Sequence, residues 1–299
     1  MTSSTTFDRR MERIAAGERM TADDLRELAD TADVLPLGML ADALRRRIHG
    51  TRVTYVRVAS CAFDHSFADA VLPMAREVLV TGTPDSLSTA VSAVASARAV
   101  AGSRCVAGFS WPIIERLASG HHLSTVLERL REAGLDAVAE LPLDVVDDAA
   151  GAVERLKKAG FQQLRLTLEK GAASDRTPLF ARASELHDRF ACIQALNPLP
   201  MSLNAFRPTT GYADVKMVAL ARLAAPNIPS IQIDWPRYGP KLAQVALTFG
   251  ADDLYGISPS DDAPEGRRRA PLEEIRRNIE AAGFQPAERD GRFTVTSDT

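Results

Sequence analysis

The sequence predicts an α/β fold, a (β/α) barrel, TIM-like or partial, behind a short N-terminal helical segment. Two patterns and the length predict it. Roughly eight short segments rich in β-branched residues alternate with longer segments of helical period. Strands alternating with helices, joined by tight turns, make a parallel sheet with crossover helices. A chain of 299 residues, 45% hydrophobic and 25% charged, suits one barrel with a full core. No period of about 20–50 residues repeats, which excludes a solenoid.

Residues 1–6 are small and polar and are expected as a frayed tail. Thr21 and Asp24 have the spacing of a cap for a helix through Ala29. Pro36 to Arg47 carries Leu37, Leu40, Ala41 and Leu44 on one face and ends at His49-Gly50. Its Arg45-Arg46-Arg47 run reads as a solvated end that complements the helix dipole. Residues 1–50 are therefore an N-terminal helical segment, and residues 51–299 a barrel with a C-terminal helix, together one compact domain. Strands are expected at Val53–Ser60, Glu77–Gly82, Arg104–Ser110, Leu135–Leu141, Gln163–Glu169, Ala191–Leu196, Asn227–Asp234 and Ala251–Gly256. Helices are expected with Leu87, Val91 and Val94 inward, over Leu123–Ala133, Asp147–Ala159 and Pro178–Arg189, and through Val218, Arg222 and Ala225. Leu242, Val245, Ala246 and Phe249 recur at helical spacing before Gly250, and Leu272, Ile275 and Ile279 mark a terminal helix. Ser258 to Pro271, rich in Pro, Asp and Arg, is expected as a mobile loop.

A net charge of −3 gives no basic footprint for nucleic acid. No apolar run has the length of a membrane span, and the N-terminus lacks the apolar stretch of a signal peptide. Three widely spaced cysteines fit a reducing, cytoplasmic setting better than a disulfide framework.

The stretch from Gly211 to Gly256 resembles the C-terminal barrel segment of the radical SAM enzymes of futalosine-dependent menaquinone biosynthesis. These are aminofutalosine synthase and dehypoxanthine futalosine cyclase, with the deazaflavin-forming FO synthases as relatives. Leu35 to Val56 is similar to the segment leading into their first barrel strand, and Ala281 to Asp290 to their C-terminal end. The resemblance implies the barrel of the radical SAM type, a four-iron cluster and S-adenosylmethionine. The residues that would hold them are missing. The family's C-x3-C-x2-C loop follows the first strand, where this chain reads Ala59-Ser60-Cys61-Ala62-Phe63, with one cysteine. Cys105 and Cys192 open the third and sixth strands, at the opposite end of the barrel. The family's glycine pair after the second strand is replaced by Thr81-Gly82-Thr83-Pro84, and its glycine-rich turn after the fourth by Leu141-Pro142, with Glu140 kept. Neither cofactor is expected.

Barrel enzymes place chemistry at the C-terminal ends of the strands. Glu140 and Asp234 are candidates for an acid–base pair there, with His65 beside Cys61; the bland alternative is that both carboxylates satisfy loop amides or helix N-termini. Thr81, Gly82, Asn197 and Trp235 are candidate ligand-binding residues, and Glu169 lies at another strand end. His121-His122 lacks further ligands at metal-site spacing and reads as a helix cap, so no metal site is expected. Asp252-Asp253 reads as a turn-fixing pair. Two functions remain open. One is a non-catalytic pseudoenzyme of the pathway, binding a small-molecule intermediate or partnering a homologous enzyme. The other is a cluster-independent lyase or hydrolase using the acidic residues at the mouth. Oligomeric state is not legible.

Overall fold

The computed structural model describes residues 2–168, 173–200, 211–260 and 272–296. Three helices come first, α1 (Thr2–Ala16), α2 (Ala22–Asp30) and α3 (Val34–His49). The barrel then runs β1 (Arg52–Ala62), α4 (Phe67–Ala70), β2 (Glu77–Thr81), α5 (Leu87–Ala101), β3 (Cys105–Ser110), α6 (Trp111–Leu117), α7 (Leu123–Glu132), β4 (Ala137–Pro142) and α8 (Ala149–Lys158). It continues through β5 (Leu164–Leu168), α9 (Ala173–Phe190), β6 (Ile193–Pro198), α10 (Tyr212–Ala224), β7 (Ser230–Asp234), α11 (Trp235–Leu247), β8 (Asp253–Ile257), α12 (Leu272–Ala281) and β9 (Gln285–Glu288). All pairings between these strands are parallel, in the order β2-β3-β4-β5-β6-β7-β8-β1, and β1 pairs back to β2. This is a closed eight-stranded (β/α) barrel.

Two features depart from an even barrel. The upper half of β1, Val58–Ala62, pairs with β2, whereas its lower half, Arg52–Tyr55, pairs with β9. The C-terminal strand therefore sits under β2 along the same edge of β1. The crossover from β1 to β2 holds only α4, a helix of 4 residues, where the next crossover holds the 15-residue α5. Parallel strands normally need a full crossover helix to cover the sheet between them.

The N-terminal segment explains an oddity of α10. A surface barrel helix is amphipathic, but α10 buries every residue from Met217 to Ala224. Helices α2, α3 and α9 pack against it, so both of its sides are interior. Thr21 and Asp24 form the capping box expected for α2. The polar start of the chain is not frayed: α1 begins at Thr2, and its Arg10 is held by Asp24 and Glu27.

Two readings of helix faces are corrected. Arg45 is fully buried, because its guanidinium donates to the carbonyls of Gly50 and Arg52 and stacks 3.9 Å from the Phe284 ring. Only Arg46 and Arg47 of that run face solvent. Val245 is exposed, because α11 is interrupted at Gly239-Pro240 and its second half turns Ala243, Ala246 and Leu247 inward instead. Glu169 and the Pro- and Arg-rich part of the expected loop, residues 261–271, lie outside the described residues.

The interior of the barrel's lower half is ionic. Glu77 of β2 accepts from Arg165 of β5 at 2.9 and 2.6 Å and from the Tyr255 hydroxyl of β8 at 2.9 Å. Strands so far apart in the order meet only across the interior, so this fixes the inward face of each. Asp253 of β8 accepts from Arg289, Thr54 and Gln232. Both carboxylates are fully buried. The chain after β9 closes the barrel below: Phe293 lies 4.0 Å from Arg289, and a Cβ at Gly291 would come within 2.6 Å of the Cys105 Cβ. Cys105 is thus at the barrel's lower end, its thiol pushed up to about 12, by burial first and then by Glu77. Asp252, beside Asp253, points the other way and holds Ser230 and the buried Arg222 of α10. The Asp pair therefore ties β8 to both its inner and outer layers.

Candidate functional site

The upper interior follows from the same inward face. Thr167 lies two residues beyond Arg165 on β5 and shares its face. It pairs in register with Asn197 of β6. Gln232 pairs with Asp253, and Asp234 with Tyr255, so Asp234 is inward as well. On β4, Pro142 pairs with Thr167, but Val138 pairs with Gly108 on the outward, Val80 side of β3, so the strand is irregular between them and its alternation does not carry through to Glu140. On β1 and β2 the inward pairs above Glu77 are Ser60 with Leu79 and Ala62 with Thr81.

The two sides of this upper interior differ. Ser60 is exposed in mid-strand between the buried Ala59 and Cys61, and Ala62, Leu79, Thr81 and Glu140 are half-buried. Solvent therefore reaches the inner surface of β1 and β2 from the mouth. On the opposite wall Thr167 and Asn197 are 4% and 3% exposed, and neither Thr167 Oγ1 nor Asn197 Oδ1 has a hydrogen-bond partner among the described residues. Buried polar atoms without partners are uncommon enough to need an explanation.

Asp234 ends β7 and caps α11, accepting from the Arg237 amide at 3.0 Å. Its carboxyl is raised above the usual range, because burial disfavours the charge more than the Arg237 contacts restore it. For an acid raised in the fold, ionisation opposes folding at neutral pH. Asp234→Asn, which keeps the cap, is therefore expected to leave the melting temperature at pH 7 unchanged or raise it by a few degrees. A clear fall in thermal denaturation would show that the charge itself stabilises the fold.

The remaining candidates are dispersed. His65 has a side chain 72% exposed, bonded to Asp64, and presents itself to solvent beyond β1. Gly82 has φ +90°, and a Cβ there would meet the Phe63 ring at 2.8 Å, so packing alone demands a glycine. Trp235 is 5% exposed and packed in the apolar core, which leaves its ring no open face for a ligand. His122 stands at the N-cap of α7 without a side-chain cap bond, because its ring does not reach the first-turn amides. Among the described residues no three His, Cys, Asp or Glu side chains cluster as metal ligands would.

Cys61 alternates with Ser60 and Ala62 and so faces outward, into the core. It is 6% exposed, its Sγ lies 3.6 Å from the carbonyls of Ala62 and Ser66, and burial, then Asp64, push the thiol up.

Thr167 was legible but missed. Arg165 and Thr167 alternate with leucines in Leu-Arg-Leu-Thr-Leu, as Gln232 and Asp234 alternate with isoleucines in the next wall. A polar residue at every second position of a buried strand marks a polar barrel interior.

Residues 201–298 match the family described as the CofH/MqnC C-terminal region. The chain is 31% identical over 207 residues to the 5-amino-6-(D-ribitylamino)uracil–L-tyrosine 4-hydroxyphenyl transferase of Archaeoglobus fulgidus, a match that spans 59% of this chain and 60% of that protein's length. It is 26% identical to the aminodeoxyfutalosine synthase of Thermus thermophilus, over 94% of each chain. That alignment runs over 355 positions against 299 residues here, so the relative carries segments this chain lacks. Among solved structures, the FeFe-hydrogenase maturase HydG from Carboxydothermus hydrogenoformans superposes with a TM-score of 0.69 at 14% identity, covering 96% of this chain and 80% of that one. Methylornithine synthase (PylB) superposes with a TM-score of 0.66 at 17% identity, covering 93% and 97%. These two share the fold. In sequence the chain resembles the radical SAM family of the futalosine pathway.

Proposed function

We propose that this chain is a cluster-free member of that barrel type, holding a small-molecule intermediate related to the futalosine route, or assisting a homologous enzyme of it, without radical chemistry. One observation supports the reading: the single cysteine at the end of β1 faces out of the barrel as a buried thiol, ahead of a crossover with one turn of helix. An iron–sulfur cluster needs several thiolates on one loop facing the cavity. The residues present do not fit that group. S-adenosylmethionine would then lose the metal that anchors its amino acid end. The open inner surface at Ser60 and Thr81 still offers room for a ligand at the mouth. The link to the pathway rests on resemblance, since a fold hosts many functions. Among the described residues no helix is long and apolar enough to cross a membrane, and three free cysteines suit a reducing cytoplasm.

The test is to purify the protein natively, release what it carries with denaturant, and identify the small molecules by mass spectrometry. A stoichiometric compound that rebinds supports the ligand-holding role. Recovery of an intact partner enzyme from the same cells, with no compound, supports the assisting role. Calorimetric titration with S-adenosylmethionine is expected to show no saturable binding in the micromolar range; micromolar binding would mean that the cofactor pocket survives.

A second reading, a cluster-independent lyase or hydrolase, is favoured by one observation: the inward Asp234 carboxyl at the mouth is raised by burial, as general acids often are. Turnover of the released compound by the protein, abolished in Asp234→Asn, would make it the better one.

A further inference from the structure

We infer that Thr167 and Asn197 form a polar subsite on the closed wall of the barrel, which takes a ligand group that donates hydrogen bonds, an amine, amidine or hydroxyl, and rejects carboxylates and phosphates. The inference rests on the reading of the barrel as a small-molecule binder and specifies the chemistry that it selects.

Four observations support it. The two residues are register partners on neighbouring strands, so their side chains stand side by side on one face. Both are more than nine-tenths buried, and both present an oxygen with no partner among the described residues. A carboxamide oxygen only accepts, and a threonine hydroxyl both donates and accepts. The complement of the pair is therefore a donor, or a donor beside an acceptor.

The surrounding charges point the same way. Asp234 shares this inward face and adds an acceptor. The nearby cation is Arg176 of α9, which is buried, donates to the Leu199 carbonyl at 2.8 Å and is opposed by Asp144 and Asp214. The deeper cations, Arg165 and Arg289, are engaged by Glu77 and Asp253 below. An anionic ligand at Thr167 and Asn197 would thus meet acceptor oxygens and the Asp234 carboxylate, while the Arg176 charge is already opposed by Asp144 and Asp214. Burying an anion under those conditions is costly.

The subsite is testable with two probes of matched shape and opposite chemistry, benzamidine and benzoate, by saturation-transfer NMR and titration on the full chain. Benzamidine is expected to bind and benzoate not. Thr167→Val and Asn197→Leu are each expected to weaken benzamidine about tenfold or more, as the loss of a hydrogen bond to a charged group does. Thr167→Ser, which keeps the hydroxyl, is expected to retain binding and guards against a variant that merely misfolds. Benzoate binding as well as benzamidine would overturn the inference. So would benzamidine binding unchanged in both Thr167→Val and Asn197→Leu, which would place it elsewhere on the acidic surface. Absence of binding by either probe would mean that these oxygens are served by water alone, and would overturn it too. None of these failures bears on the cluster: iron uptake on reconstitution would sink the cluster-free reading while leaving this donor preference to stand or fall on its own.

Discussion

Arg165→Met is expected to destabilise the fold by about 3–5 kcal/mol, the range for removing one partner of a buried ion pair. Glu77 is fully buried, and both of its oxygens receive the Arg165 guanidinium, with the Tyr255 hydroxyl as a third donor. Burial by itself disfavours the Arg165 charge, but Glu77 holds it charged, well above the ordinary range. Methionine fills a similar volume and leaves the carboxylate with Tyr255 alone. Urea denaturation measures the loss. The double variant Glu77→Gln/Arg165→Met is expected to recover much of it, since no uncompensated charge remains. A single variant as stable as the parent would mean that water reaches Glu77 from below.

Arg289→Met is expected to cost a similar amount at neutral pH and to flatten the acid limb of the stability profile. Burial raises the Asp253 carboxyl, but Arg289, then Thr54 and Gln232, together bring it below its ordinary 3.8. A carboxyl lowered in the fold stabilises it above the unfolded value, and that contribution is lost as pH falls through the folded value. The parent should therefore lose stability steeply below about pH 4. In Arg289→Met the main cause of the depression is gone, and the two curves should converge in acid. Parallel curves down to pH 2 would assign the acid limb to surface carboxylates instead.

These networks also show what the sequence revealed and what it hid. The eight barrel strands were legible because their helix-facing sides are largely apolar, Arg57 of β1 apart, and their boundaries are marked by turn residues. The strand β9 was not: Gln-Pro-Ala-Glu has no alternation, and it is ordered by pairing to Arg52–Tyr55. The role of Arg45 was hidden because a basic run looks alike whether its members meet water or the carbonyls of Gly50 and Arg52. Asp253 looked like a turn residue because its partner Arg289 lies beyond β9. At the mouth, Asn197 and the inward Asp234 followed from strand ends, whereas the burial of Trp235 depended on how α11 packs. His65 looked close to the mouth in sequence, but a one-turn crossover leaves it in solvent.

If this barrel works without an iron–sulfur cluster, anaerobic reconstitution with iron and sulfide leaves it without one. After desalting, iron per chain and the visible spectrum are measured for the parent and for Cys61→Ala. Substoichiometric iron, no charge-transfer band, and no difference between the two proteins are expected. Four irons per chain, lost in Cys61→Ala, would contradict the cluster-free reading.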